Sequence, residues 1–278
     1  MKDFRIVVCV KQVPAGAEAK LDPVTKTLVR SAGASVLNPY DSFAVEAALQ
    51  IKDELAPKEA GDPAPSCSVT ALSMGIPSTE KLLRDLLARG ADEAVLLTDR
   101  AFAGADTIAT SATLAMGVRE TEYARGKVSL ILCGHMAVDG DTAQIGPELA
   151  ETLNLPHVSN VLKIDEVNPE ENYVIVESIA AEGRQTLKVT LPALLTVSKD
   201  INVLRLPSIS GIRNAEAADI RVLGAADLNA DPSRIGKPGS ATRVVRTFTP
   251  EITDSAERVV GTPKEAAAKI REIIGRTV

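Results

Sequence analysis

A strand, a loop and a helix meet in the stretch Cys133-Gly134-His135-Met136-Ala137-Val138-Asp139-Gly140-Asp141-Thr142-Ala143-Gln144-Ile145-Gly146-Pro147. The apolar run at 128–133 predicts a buried strand, and the pattern at 147–153 predicts a helix. A small-residue loop between these elements forms an anion site, because unpaired N–H groups and the helix dipole both attract phosphate. Gly140 and Gly146 allow the backbone to come close to a ligand. The stretch therefore predicts a nucleotide phosphate site in an α/β protein.

The segments before this stretch alternate between strand-like and helix-like patterns. Apolar runs at 4–10, 67–72, 94–98 and 128–134 predict strands, and apolar stripes at helical spacing separate them. This alternation predicts an α/β fold with a doubly wound, mostly parallel, Rossmann-like sheet. Ligands of such sheets bind at the carboxyl ends of the strands, so these four strand ends should lie along one edge.

The pattern changes in the second half of the chain. Strand-like segments at 158–164, 173–180, 185–190 and 193–197 predict an antiparallel extension of the sheet. Residues 220–262 have no strong periodicity and predict an arm laid over a partner. Thr262-Pro263-Lys264-Glu265 is a capping box that starts a final helix. We expect an α/β nucleotide-binding domain at 1–220 and a C-terminal arm with its helix at 221–278.

Composition excludes several classes of function. The 278 residues carry a formal net charge of -6 and no Trp, which argues against a nucleic-acid partner. No apolar run approaches the roughly 18 to 20 residues of a membrane span. The three cysteines are scattered and the two histidines are isolated, so we expect no disulfide framework and no metal site. We expect a cytoplasmic protein.

A second loop repeats the strand–loop–helix order at 98–110, where Asp106 or Thr107 caps a helix. Helix capping alone explains that pattern. Two such loops on one sheet edge, however, favour a long dinucleotide ligand. The usual dinucleotide fingerprint GxGxxG is absent, as are the common hydrolase and zinc-protease motifs.

The chain resembles the β subunit of electron transfer flavoproteins over nearly its full length. The resemblance rests on five pieces in the same order, namely Val7-Val8-Cys9-Val10-Lys11-Gln12-Val13-Pro14, Asn38-Pro39-Tyr40-Asp41, Leu72-Ser73-Met74-Gly75, the stretch 137–147, and Leu191-Pro192-Ala193-Leu194-Leu195-Thr196-Val197 with Ile201-Asn202. One branch of that family binds AMP in this subunit, and the flavin-bifurcating branch binds FAD there and oxidises NADH. The DGDTAQxGP string and the segments at 97–100 and 104–110 are similar to the second branch.

The resemblance implies a set of cofactor-binding residues. Those at the adenosine end are Cys9, Asn38, Asp41, Met74 and Gly75. Those at the ribose and phosphates are Gly134, Met136, Asp139, Gly140, Asp141, Thr142, Gln144, Gly146 and Pro147. Those approaching the isoalloxazine are Asp99, Arg100, Gly104, Asp106, Thr107 and Thr110, with Arg100 tuning the flavin. The cofactor would perform the redox chemistry, so the resemblance implies no catalytic acid, base or nucleophile in this chain.

The resemblance also implies partners. They are an α subunit that forms a heterodimer with this chain, a flavin dehydrogenase, and ferredoxin or flavodoxin as the low-potential acceptor. Ile209 falls where the family has the Leu that anchors the dehydrogenase. Two alternatives stay open: a non-bifurcating carrier with AMP in place of FAD, and a nucleotide-binding module of the universal-stress type.

Overall fold

The computed structural model describes residues 3–15, 35–57, 65–246 and 258–277. Its strands are β1 (Phe4–Cys9), β2 (Gln12–Pro14), β3 (Ser35–Leu37), β4 (Cys67–Met74), β5 (Glu93–Leu97), β6 (Leu130–Gly134), β7 (His157–Asn168), β8 (Tyr173–Ala180), β9 (Gly183–Thr190), β10 (Ala193–Val197) and β11 (Arg221–Leu223). Its helices are α1 (Pro39–Glu54), α2 (Glu80–Arg89), α3 (Thr107–Arg125), α4 (Ile145–Leu153), α5 (Ile209–Ala217) and α6 (Pro263–Thr277).

Nine of these strands form one sheet in the order β11-β5-β4-β1-β6-β10-β7-β8-β9. Neighbours from β11 to β7 run parallel, and β7, β8 and β9 run antiparallel. The chain moves outward from β1 through β4 to β5, and then returns to place β6 on the other side of β1. The crevice between β1 and β6 is therefore the point at which the strand order reverses, where doubly wound sheets bind ligands.

Helices cover both faces of the parallel strands because alternate residues of each strand point to opposite sides. Ile6 and Val8 of β1 pack in one apolar cluster with α1 and α2. Val7 and Cys9 pack in the other cluster with α3 and α4. The predicted fold class is confirmed.

The antiparallel extension is smaller than the sequence predicted. The assignment of 193–197 to it was wrong, because β10 lies between β6 and β7 and is parallel to both. All five of its side chains are buried, as expected for an interior parallel strand. Only the β7–β8–β9 meander forms the antiparallel part.

The chain divides into two compact units between Arg243 and Val244. Residues 221–243 therefore belong with the α/β unit, although the sequence assigned them to the arm. Within them, β11 pairs with β5, and Leu228 and Ile235 are buried in the core. The second unit contains α6, whose start carries the predicted capping box: Thr262 N donates to Glu265 Oε2 at 2.7 Å, and Glu265 N donates to Thr262 Oγ1 at 3.4 Å. None of the helices in the described ranges is long and apolar enough to cross a membrane.

Candidate functional site

The carboxyl ends of the parallel strands bring two loops to one edge of the sheet. The β6 loop (residues 135–144) leads from β6 to α4, and the β5 loop (residues 98–106) leads from β5 to α3. These are the two loops that the sequence predicted to lie together. Thr107 at the start of α3 joins them, since its hydroxyl lies 3.0 Å from Glu148 Oε1 and 3.4 Å from Gln144 Oε1.

Asn38 holds the entry of the β6 loop from the other side of the crevice. Its side chain is fully buried; its Nδ2 donates to Met136 O at 2.8 Å, and its Oδ1 accepts from Val138 N at 3.2 Å. Lys11 forms an ion pair with Asp139 at 2.6 Å. Lys11 lies in the short connection between β1 and β2. It was quoted in the resemblance, but the sequence did not identify it as a site residue.

The middle of the β6 loop offers backbone groups to a ligand. Asp141 and Ala143 have left-handed backbone angles, φ 49° and 54°. The N–H groups of Thr142, Ala143 and Gln144 donate to no acceptor within the residues that the structure describes. They precede the N-terminus of α4, which has Pro147 in its first turn. Unpaired N–H groups at a helix N-terminus fit a phosphate.

The glycines of this loop serve different purposes. A Cβ on Gly140 would meet nothing within 4 Å, so the space beside this position is open. Gly146 has a packing reason to be glycine, because a Cβ there would collide with Thr196 Cγ2 of β10. Gly134 is similarly closed, since its Cβ would lie 2.6 Å from the carbonyl carbon of Tyr40.

Asp41 lies buried beneath the crevice, in the first turn of α1. Its Oδ2 accepts the backbone N–H of Lys11 at 2.7 Å. Burial raises the pKa of Asp41 to about 7, although hydrogen bonds from Asn38 and Lys11 act in the opposite direction. Asp41 therefore supports the strand ends around the crevice from below.

The remaining residues predicted at the adenosine end lie on neighbouring strands. Cys9 and Cys133 are register partners on β1 and β6 and are both buried. Their contact and burial raise the pKa of the Cys133 thiol. Met74 ends β4, and Gly75 N donates to Leu97 O at 3.0 Å, which ties the ends of β4 and β5 together.

The β5 loop is held by the C-terminal part of the α/β unit, which the sequence did not predict. Asp99 Oδ2 accepts from Ala225 N at 2.9 Å. Asp106 caps α3 through Ala109 N and also accepts from the backbone and hydroxyl of Thr242 at 2.9 and 3.1 Å. The carboxylates predicted to approach an isoalloxazine are therefore hydrogen-bonded to this chain. No spacing rule connects residues 106 and 242, so the sequence did not predict this contact.

Gly104, Thr110 and Arg100 complete the set on this side of the edge. Gly104 has a positive φ of 73°, which turns the β5 loop toward α3. Thr110 lies in the first turns of α3 and is half-buried. Arg100 is exposed at the start of the loop.

Ile209 lies away from this edge, at the first residue of α5. Its side chain is 82% exposed, and Val203 and Leu206 before it are also exposed. The segment before α5 is fixed to α1, because Arg205 forms a two-pronged ion pair with the buried Glu46 at 2.9 to 3.3 Å.

The fold and this edge define a class: an α/β protein with a loop suited to phosphate at the point of strand reversal. The family model described as electron transfer flavoprotein domain matches residues 25–228. Electron transfer flavoprotein subunit beta of Thermoanaerobacterium thermosaccharolyticum is 42% identical over 270 residues, which are 97% of each chain. Subunit CarD of the caffeyl-CoA reductase-Etf complex of Acetobacterium woodii is 42% identical over 259 residues, 93% of each chain.

A third relative, protein FixA of Azorhizobium caulinodans, is 39% identical over 276 residues, 98% of this chain and 95% of FixA. The chain belongs to the electron transfer flavoprotein family, and it is similar to the β subunits of that family over nearly its whole length. The universal-stress alternative is thereby excluded.

Proposed function

We propose that this chain is the β subunit of a flavin-bifurcating electron transfer flavoprotein and binds FAD along the edge formed by the β5 and β6 loops. NADH is oxidised in the complex, and its two electrons are divided. One passes to ferredoxin or flavodoxin, and the other passes through an FAD of the α subunit to a flavin dehydrogenase. The bound flavin supplies the redox chemistry, and the protein supplies orientation and electrostatics.

The phosphate end of the proposed site is supported by the β6 loop. Three N–H groups that donate to no acceptor in the described part of the chain precede α4, and Gly140 leaves open space beside them. Lys11 and Asn38 hold the entry of that loop in place. These groups fit a nucleotide phosphate, and either FAD or AMP carries one.

The observation that carries the choice of FAD is the continuity between the two loops. Thr107 of α3 contacts Glu148 and Gln144, so the β5 loop lies beside the start of α4. AMP has no group beyond its phosphate to reach the β5 loop, whereas FAD carries an isoalloxazine. The AMP-binding carrier is the second candidate, since its phosphate would bind the same β6 loop.

The first experiment releases and counts the nucleotides of the heterodimer purified with its α subunit. The bifurcating hypothesis expects two FAD and no AMP per complex, followed by NADH oxidation in an activity assay. One FAD with one AMP would instead establish the non-bifurcating carrier.

Arg100 tests the ring end of the site. A fixed guanidinium near the isoalloxazine stabilises negative charge on the reduced ring, so Arg100→Ala should move the flavin potential to a more negative value. Arg125→Ala is the matched control, because Arg125 pairs with Glu93 at the opposite end of β5. Redox titrations that coincide for wild type and Arg100→Ala would refute this role.

We further propose that Ile209, with Val203 and Leu206, contacts the dehydrogenase. Their exposure supports a protein contact, because monomeric surfaces rarely group large apolar side chains. The Arg205–Glu46 pair presents this segment in a fixed position. Ile209→Ser should weaken electron transfer to the dehydrogenase while leaving the nucleotide content of the complex and the single-turnover reduction of its flavin by NADH unchanged.

A further inference from the structure

We infer that the C-terminal strap, residues 224–242, positions the loop that faces the flavin ring, and that Ser240 and Thr242 are the positioning residues. The inference rests on the proposed function, because it concerns the ring end of the same site.

Asp106 is the centre of the attachment. Its backbone N–H donates to Ser240 Oγ at 2.9 Å, and its Oδ2 accepts from the N–H and hydroxyl of Thr242. Its Oδ1 accepts from Ala109 N and thereby caps α3. One residue thus fixes both the end of the β5 loop and the end of the strap.

Two further contacts extend the attachment along the loop. Lys237 N donates to Ala103 O at 3.1 Å, and Asp99 Oδ2 accepts from Ala225 N at 2.9 Å. Gly236 has a φ of 54°, and a Cβ there would collide with the carbonyl oxygen of Ala101. The strap backbone therefore lies directly against the β5 loop.

The strap is anchored in the core as well as at the loop. Ile235 is 1% exposed and Leu228 is 9% exposed, and both pack in the cluster that contains Phe102 of the β5 loop. Burying such side chains stabilises the attachment by about 1.5 to 3 kcal/mol each. The strap therefore supports the β5 loop through shared core packing as well as through hydrogen bonds.

The consequence concerns the two carboxylates. Hydrogen bonds from the strap and from the loop hold Asp99 and Asp106, so they shape the β5 loop rather than contact a ring. The ring-facing groups that remain are the backbone of the loop and Arg100. If the strap contacts to Asp106 are removed, the loop loses its fixed shape and the site loses affinity for the ring.

The test uses the complex purified with its α subunit and a Ser240→Ala/Thr242→Val double variant. We expect the dissociation constant of FAD in this subunit to rise about tenfold, with the flavin potential shifted. Ser233→Ala is the matched control, since Ser233 donates to Asp231 within the strap itself and not to the loop. The single Thr242→Ser variant keeps a hydroxyl at position 242 and should retain most of the wild-type affinity for FAD.

The outcomes separate the inference from the proposed function. AMP in the wild-type complex would refute the proposed function and, with it, the ring end of the site. FAD in the wild type with unchanged affinity and potential in the double variant would overturn the strap inference alone. Should the double variant fail to assemble, the single Thr242→Val variant decides the question: looser FAD supports the inference, and FAD held as in Ser233→Ala overturns it.

Discussion

The β6 loop and the β5 loop follow the same strand–loop–helix order, but different parts of the chain support them. Asn38, Lys11 and Asp41, all from the first elements of the chain, support the β6 loop. Its middle amides have no acceptor among the residues that the structure describes. The strap from the C-terminal part of the unit holds the β5 loop and occupies its carboxylates. Two loops of one pattern can therefore have different supports: buried polar side chains hold the β6 loop, and hydrogen bonds from a later segment of the chain hold the β5 loop.

The largest expected effect concerns the buried support of the β6 loop. The pKa of Asp41 is about 7 in the folded chain against an ordinary 3.8, so the folded state binds the proton more tightly. The resulting stabilisation is complete below about pH 4 and is lost as the pH rises through about 7. A pKa difference of about three units changes the free energy of unfolding by on the order of 4 kcal/mol. Asp41→Asn should remove this pH dependence, as urea unfolding from about pH 4 to pH 8 would measure.

The groups facing Asp41 sharpen that prediction. Lys11 favours its charged form, and Cys133 lies close enough to interact with it. Lys11→Met should therefore raise the pKa of Asp41 further. An Asp41→Asn variant whose stability varies with pH as steeply as wild type would contradict the assignment.

The second effect contrasts two glycines of the β6 region. Gly134→Ala would drive a methyl group into Asp41 and the Tyr40 backbone, and backbone cannot move aside, so we expect a loss of about 3 kcal/mol. Gly140→Ala meets open space and should change stability by less than about 0.5 kcal/mol while lowering nucleotide retention. Equal unfolding free energies for the two variants would show that the crevice is not closely packed at Gly134.

The third effect tests the two hydrogen bonds by which Asn38 holds the entry of the β6 loop. Asn38→Ala leaves Met136 O and Val138 N without their partner, at a cost of about 2 kcal/mol. Nucleotide retention should fall as well. Asn168→Ala is the control, because Asn168 accepts from Glu171 N in the β7–β8 turn, far from the sheet edge. Nucleotide content that falls equally in both variants would contradict a specific role for Asn38.

The smallest effect concerns Asp106 of the β5 loop, whose contribution to stability depends on pH in the opposite direction to that of Asp41. Burial acts to raise the pKa of Asp106, but hydrogen bonds from Ala109 and Thr242 outweigh it and hold that pKa below 3.8. Asp106 therefore stabilises the fold above its ordinary pKa, and this contribution is lost as the pH falls through its folded pKa. Asp106→Asn keeps the helix cap and should flatten the acid limb of the unfolding curve. If the stability of Asp106→Asn falls at low pH as steeply as that of wild type, the contrast between the two loops is contradicted.

Much of the architecture could be predicted from local pattern. Apolar runs identified β1, β4, β5 and β6, and the order of elements placed their carboxyl ends on one edge. The same information misplaced β10, since periodicity marks a strand without saying which strands flank it. It also missed α5, because the Ser208 cap precedes a mixed sequence without a clear apolar stripe.

By itself, the sequence determined the types of the main elements, the phosphate-loop pattern and the family, because each is encoded by residues close together along the chain or by their order. Only the tertiary structure decided that Gly146 packs on β10, that Asp41 is buried, and that Asp106 is tied to Thr242. Those contacts join residues far apart in sequence. They depend on how sheet, helices and strap pack together, and no local periodicity records that packing.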